Sequence, residues 1–426
     1  MVNSEINQPE QKPPGWENIF AIFVLFLSTG AIIPLLHKEN GVIFDPAQGD
    51  MIMQGLWFGI YTITFLLLLS RLGQVTWAAY QDKLICLLLA LALVSVFWSA
   101  SPYVTLRRNM ALLGSSAFGI YLASRFTWQE LIKLIAWALG LSAVLSLGFV
   151  LFLPSYGIHH DLYHSGVWRG IYVHKNALGR FMSFAALTWL LYSISNTRDR
   201  VLGLIFYTIS TEILFLSASK TSIIIFILLL FPLMIYLFRT ERRRYVLPVI
   251  LIALIIGSSA FLLINKSAAS AISLGPNLIS VSLPEVDSTL TGRTVLWQAV
   301  WDMIEQRPLL GYGYSAFWLG YEEPSGHLWR ILHWEPPNAH NGYLDLWLQL
   351  GLVGLVFFII SLIGNMFKTI VLLRRKMGRS QCFCLLFLLF IIIGNFAESF
   401  ILVQNCIFWI LYVTISTKVR IDWQRS

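Results

Sequence analysis

Residues 221–238 read TSIIIFILLLFPLMIYLF and residues 239–244 read RTERRR. Eighteen consecutive positions without a charge are enough helix to cross a hydrocarbon layer about 30 Å thick. In lipid the backbone amides must be satisfied within the segment, so such a run is a helix. The basic run behind it marks the end that stays in the cytoplasm, where Lys and Arg accumulate beside membrane spans.

The same pattern recurs along the chain. Of 426 residues, 57% are hydrophobic and 12% charged, and the mean hydropathy is +0.70. Soluble domains carry about 25% charged residues, so one soluble core is excluded and an all-α integral membrane protein is expected. Apolar runs predict spans at 17–36, 51–70, 84–99, 104–123, 131–153, 177–195, 201–218, 221–238, 246–264, 342–363, 382–398 and 401–416. With the N-terminus in the cytoplasm, Lys plus Arg divide 19 to 11 between cytoplasmic and external segments, as the positive-inside bias requires. The expected organisation is a cytoplasmic tail (1–18), a bundle of about nine helices (19–264), a large periplasmic loop (265–341), C-terminal helices (342–416) and a cytoplasmic tail (417–426). The polar start, MVNSEINQPEQKPPGWEN, lacks the pattern of a cleaved signal peptide. The net charge of +8 resolves into these loops, so no nucleic-acid partner is implied. Cys86, Cys382, Cys384 and Cys406 fall in apolar runs without ligand spacing, which points to buried thiols rather than zinc or disulfides.

All eight histidines fall on the external side of this topology. A connector as long as 265–341 usually has work of its own. Within it, Leu296, Trp297, Val300, Trp301 and Ile304 form an apolar stripe over a helix at 294–306, and its Trp pair suggests a helix lying on the membrane surface.

Two constellations could carry chemistry. The first is basic: Arg107 and Arg108 after WSASPYVTL, Arg169 and Lys175 in WRGIYVHKNALGR with Arg180 one turn on, Lys220 at a helix end, and Arg293 at the start of the loop helix. Guanidinium forks and helix N-termini both hold phosphate oxygens, so a diphosphate at the membrane surface would find its ligands here. Snorkelling or salt bridging is the plainer reading of any one of them, but external carboxylates are too few to pair the whole set. The second constellation is AHNGYLDLWLQLGLVG, residues 339–354, where His340 precedes a helix start. A helix dipole keeps such an imidazole neutral and able to accept a proton; a cap or a packed interface residue is the plainer alternative. HHDLYH, with His160 and His164 one turn apart, is a weak zinc signal without HExxH. Glu212 inside a span and Glu398 at an outer turn are further candidates.

These motifs resemble the bacterial O-antigen ligase and Wzy-type polymerase superfamily, above all its exopolysaccharide-polymerase members. The resemblance rests on WSASPYVTLRR, RGIYVHKNALGR, LSASKTS (216–222), TGRTVLWQAVWDMIEQRPLLGYGYSAF and AHNGYLDLWLQLGLVG. It implies an enzyme of the inner membrane that performs metal-independent, inverting glycosyl transfer from an undecaprenyl-diphosphate-linked oligosaccharide, without a cofactor. The acceptor would be a glycan hydroxyl in polymerisation or lipid A core in ligation, with membrane lipids and other polysaccharide-assembly proteins as partners. By the same resemblance His340 is the loop histidine acting as base and Arg293 the arginine of the GR motif. Arg169, Lys175 and Arg180 would hold the diphosphate, with Arg107, Arg108 and Lys220 around them. Lys220 departs from the family pattern, where Arg is common, and a point charge cannot replace a fork. A transporter or flippase would also want arginines at a membrane mouth, but it predicts midplane charges and repeated, broken helices.

Overall fold

The computed structural model describes residues 13–31, 50–160, 164–195, 198–240, 257, 290–376 and 378–424. The helices are α1 (Gly15–Leu27), α2 (Met51–Leu69), α3 (Leu72–Gln81), α4 (Lys83–Val94), α5 (Pro102–Arg125), α6 (Trp128–Phe152), α7 (Lys175–Ser195), α8 (Arg200–Leu216), α9 (Lys220–Arg239), α10 (Leu290–Gln306), α11 (Ser325–Leu332), α12 (Gly342–Lys376), α13 (Arg379–Gly394) and α14 (Ile407–Gln424). Among the described residues no strand forms beyond one antiparallel bridge, Ile158 to Trp168. Among the described residues five helices are long and apolar enough to cross a membrane: Met51–Leu69, Trp128–Phe152, Lys175–Ile194, Lys220–Arg239 and Gly342–Arg375. The expected span at 246–264 lies outside the described residues apart from Gly257.

Local chemistry starts these helices. The Asp50 carboxylate accepts from Met53 N at 2.7 Å to open α2, and Thr127 with Glu130 forms a full capping box on α6, each such cap contributing about 1 kcal/mol. Small residues then let helices meet closely. Gly119 of α5 would place a Cβ 2.8 Å from Ile410 O of α14, and Thr414 Oγ1 donates to Gly119 O at 3.0 Å. At the same end as Glu17, Arg125 Nε lies 2.6 Å from the Glu17 carboxylate and Tyr121 OH donates to it at 2.8 Å. This pair is buried.

Three sequence expectations change. Most of the apolar stripe of α10 is buried in protein: Leu296, Val300 and Ile304 pack with Tyr312, Phe317, Leu328, Trp329 and Leu348 into a second core of their own, while Trp301 stays 42% exposed. That core seats the segment 290–341 on the first half of α12. The span at 401–416 is displaced; the helix runs from Ile407 to Gln424, and residues 395–406 form an irregular segment with left-handed Leu402 and Asn405. Polar side chains explain the shift, because Asn405 N donates to Ser115 Oγ at 2.9 Å and Tyr61 OH donates to the Asn405 side chain. Third, Cys86 is exposed and Cys406 sits in that irregular segment, while Cys382 and Cys384 are buried as expected.

Gly351 breaks α12. Its φ is +66°, and a Cβ there would stand 2.0 Å from Leu309 O. The amides of Leu352 and Val353 turn instead to Pro308 O and Leu309 O at 2.8 and 3.4 Å. Opposite, Tyr312 N and Gly313 N donate to Leu348 O and Gln349 O, each at 2.9 Å, and Ala100 N donates to Tyr312 O at 2.9 Å. The turn 308–316 is thus clamped between α12 and the residues preceding α5.

Candidate active site

His340 is held by its neighbours rather than by its own side chain. Its backbone is left-handed, with φ +48°, and its N–H donates to Asn338 Oδ1 at 2.9 Å. Before it, Ala339 N donates to both Asp345 oxygens at 3.1 Å, and Trp297 Nε1 donates to Ala339 O at 2.9 Å. After it, Asn341 caps α12 by accepting from Tyr343 N and Leu344 N at 3.0 and 3.2 Å. Gly342 then comes so near the segment after α13 that its N–H donates to Asn395 O at 2.8 Å and Glu398 O at 3.1 Å. A Cβ at that position would overlap the Asn395 side chain.

The imidazole stacks on Trp334 with ring centroids 6.4 Å apart. Its Nδ1 is buried and makes no hydrogen bond among the described residues. Burial, and then the Arg293 and Arg180 guanidiniums, push its pKa below the ordinary imidazole value, with Glu398 pulling the other way. Arg293, from the first turn of α10, and Arg180, from the second turn of α7, are therefore the cations beside this histidine.

Arg180 is the centre of the basic set. Its Nη1 lies 3.3 Å from Glu398 Oε2, and its guanidinium faces Phe181, Phe400 and Phe408 at 5.3, 5.5 and 5.9 Å from the ring centroids. Its Nε is buried without a hydrogen-bond partner among the described residues. A cavity of about 880 Å³ opens beside it, lined by Arg107, Arg108 and Arg180 together with Asp50, Tyr61 and Gln404. Arg108 reaches across to donate to Ser315 O and Oγ, both at 2.9 Å, and Arg107 lies over the Tyr103 ring at 5.9 Å. Tyr314 closes the arrangement by donating to Leu402 O at 2.8 Å, with Gln404 Oε1 also at 2.8 Å.

The other basic residues are placed differently. Arg169 Nε donates to Tyr156 O at 2.7 Å, which ties down the loop before α7, and it does not line the cavity. Lys175 is the first residue of α7, and its N–H donates to His159 Nε2 at 3.2 Å. Lys220 opens α9 as an exposed residue. The LSASKTS segment around it buttresses α7, with Ser219 Oγ donating to Asn176 Oδ1 at 3.1 Å. Glu212, inside α8, is exposed among the described residues.

The histidine pairing also differs from the expected one. His159, rather than His160, meets His164 and His174, with ring centroids 5.3 to 5.4 Å apart, whereas His160 Nε2 lies 3.3 Å from Pro154 O. His159 Nε2 accepts from Lys175 N, and His174 Nδ1 accepts from Asn176 N at 3.2 Å. In each neutral ring the other nitrogen must then carry the proton, so the trio does not turn three lone pairs toward one ion. Among the described residues no group of three or more His, Cys, Asp or Glu is arranged to hold a metal.

Sequence reasoning missed Ser399, Phe400, Val403, Gln404, Asn405 and Cys406 as cavity lining. The signal was there in the adjacent amides Gln404 and Asn405, which interrupt an otherwise apolar run. Residues 202–359 match the family model described as Wzy_C, O-antigen ligase; the match takes in Lys220, Arg293 and His340 and stops short of the cavity arginines. Over 368 residues the chain is 23% identical to the exopolysaccharide production protein ExoQ of Rhizobium meliloti (strain 1021), covering 83% of this chain and 77% of that protein. The five membrane-length helices among the described residues indicate a multi-pass membrane protein, and its residues 202–359 are similar to the O-antigen ligase family that its motifs resemble.

Proposed function

We propose that the protein is a glycosyltransferase of the bacterial inner membrane, with twelve crossings and its site on the periplasmic face. It moves a glycan from an undecaprenyl-diphosphate-linked donor to an acceptor sugar hydroxyl, in exopolysaccharide or O-antigen polymerisation. The observation that carries this reading is His340: a buried imidazole nitrogen without a hydrogen-bond partner among the described residues, flanked by Arg293 and Arg180, near a cavity that Arg180 shares with two more arginines.

In the proposed reaction the acceptor hydroxyl oxygen attacks the anomeric carbon while His340 takes the hydroxyl proton. The bond from that carbon to the diphosphate oxygen breaks on the opposite side, so configuration inverts. The lipid diphosphate leaves with its electron pair, and its growing charge is met by Arg180, Arg107 and Arg108. Fixed cations aimed at developing charge are worth most where water is excluded. Arg293 faces the same histidine, and Lys175 and Arg169 extend the positive surface at the start of α7. The arginines supply the charge stabilisation, so the reaction needs no metal ion.

Similarity to ExoQ over most of the chain favours polymerisation. Incubating purified protein with lipid-diphosphate oligosaccharide tests the proposal: longer lipid-linked chains support it, transfer only on addition of lipid A core makes the protein a ligase, and no transfer under either condition refutes it.

A further inference from the structure

On the α10–α11 segment a second recess, of about 490 Å³, is lined by Arg307, Tyr321, Glu322, Glu323, His327 and Arg330, with Tyr312 and Gln306 at its base. It is separate from the arginine cavity and shares no residue with it. We propose that this recess binds the acceptor glycan several sugars away from its reacting hydroxyl. The inference rests on the glycosyl-transfer reading above and adds a holding site for the acceptor glycan.

The side chains fit a sugar better than other ligands. Two carboxylates and two guanidiniums surround one recess, yet none of the four forms an ion pair with another described residue. Arg307 lies over the Tyr312 ring at 4.8 Å, and Arg330 Nη1 donates to Tyr321 O at 3.4 Å. The carboxylates of Glu322 and Glu323 are therefore open to donors from a ligand, and charged partners make the stronger hydrogen bonds. A polyanion such as a nucleic acid or a lipid phosphate finds no net positive charge, because the two glutamates offset the two arginines. A protein partner would want an apolar centre, and this wall is mostly polar. A sugar chain offers dense hydroxyls to carboxylates and guanidiniums and a C–H face to an aromatic ring. Tyr321, 47% exposed, presents that ring; it is fixed edge-on against Trp329, with centroids 5.1 Å apart.

The recess is preformed. Ser325 is fully buried; its hydroxyl accepts from Leu319 N and Gly320 N, each at 3.2 Å, and donates to Gly320 O at 3.0 Å. Gly326 lies so close to Tyr321 O that a Cβ would stand 1.9 Å away. These contacts lock the turn that carries Tyr321, Glu322 and Glu323. The recess is also wired to the candidate active site, because Tyr321 OH donates to Glu335 at 2.8 Å and Trp329 Nε1 to Pro336 O at 3.2 Å. Glu335 and Pro336 begin the stretch that ends at His340, and five residues reach at most about 18 Å. An acceptor of a few sugars can therefore occupy both places.

The test uses full-length protein in nanodiscs, with the doubly substituted Glu322→Gln/Glu323→Gln and the single Tyr321→Ala. The acceptors are oligosaccharides released by mild acid from the source organism's own surface polysaccharide, sorted by length. For long acceptors the double variant should raise KM about tenfold, the loss expected of charge-assisted hydrogen bonds, and Tyr321→Ala should raise KM too by removing the stacking ring, each with kcat near the parent value. For an acceptor too short to reach the recess, KM should not change. Unchanged KM for long acceptors, or an equal loss of kcat at every length, overturns the proposal. Saturation-transfer NMR with the same oligosaccharides reads binding without turnover. A signal that disappears in the double variant but survives His340→Ala supports the recess even if transfer itself fails; absence of signal, or one the double variant leaves intact, overturns it.

Discussion

Arg180 Nη1 stands 3.3 Å from Glu398 Oε2, and the backbone carbonyl of Glu398 accepts from Gly342 N at 3.1 Å. One carboxylate residue thus joins the cavity arginine of α7 to the start of the helix that His340 precedes. The pair couples the group proposed to hold the diphosphate to the group proposed to take the acceptor proton.

That coupling separates two kinds of loss. A base acts only as the bond forms, contributing about 10² to 10⁴ in rate, so His340→Ala should lower kcat by that order and leave donor binding nearly intact. Arg180→Met removes a cation that binds the donor and steadies the leaving group, so KM should rise while kcat falls. Single-turnover assays with labelled donor distinguish the two. Arg180→Lys should recover only part, lacking the fork. Near-normal turnover in His340→Ala would reduce the histidine to a structural role.

The pH profile carries a second expectation. His340 titrates below the ordinary imidazole value of 6.5 because it is buried and faces two guanidiniums, so its neutral, proton-accepting form persists at every pH above that lowered pKa. Activity should stay level from pH 8 down through 6.5 and fall only in more acidic solution. Glu398→Gln removes the influence that raises this pKa and should move the fall to lower pH. Arg293→Met should move it upward. Rates from pH 5 to 8 check both directions, and a profile that neither change displaces would show that His340 does not set it.

Transfer should survive EDTA. The His159 and His174 rings are engaged in holding the start of α7 by accepting two backbone N–H groups. Complete loss in chelator, restored by one divalent ion, would contradict the arginine-based mechanism.

Gly351→Ala should destabilise the site from a distance. A left-handed non-glycine residue costs about 1–3 kcal/mol, and here the added methyl also meets Leu309 O at 2.0 Å. The clamped turn 308–316 should loosen, with a lower thermal midpoint, faster proteolysis within the loop and reduced turnover.

Orientation has its own check. Reporter fusions after Ser282 and after Ser426 should register opposite compartments, as the 19 to 11 division of Lys and Arg requires. The same compartment at both would refute the proposed topology.

The sequence by itself determined what depends on neighbours along the chain. Apolar runs had to be helices because lipid offers no hydrogen bonds to a bare backbone, and Asp50, Thr127 with Glu130, and Asn341 begin their helices through contacts within three residues. It also put His340 just before a helix and a stripe of apolar residues on α10. Tertiary structure decided the rest, because those outcomes join residues far apart in the chain. Arg107 and Arg108 share a cavity with Arg180 only through the packing of α5, α7 and the 395–406 segment. That segment is irregular since Asn405 bonds with Ser115, 290 positions away, and with Tyr61, 344 away. The stripe of α10, a good membrane-surface face by spacing, found a drier partner in Tyr312, Phe317 and Leu348. An apolar face is required to be buried, and nothing in its spacing says against what.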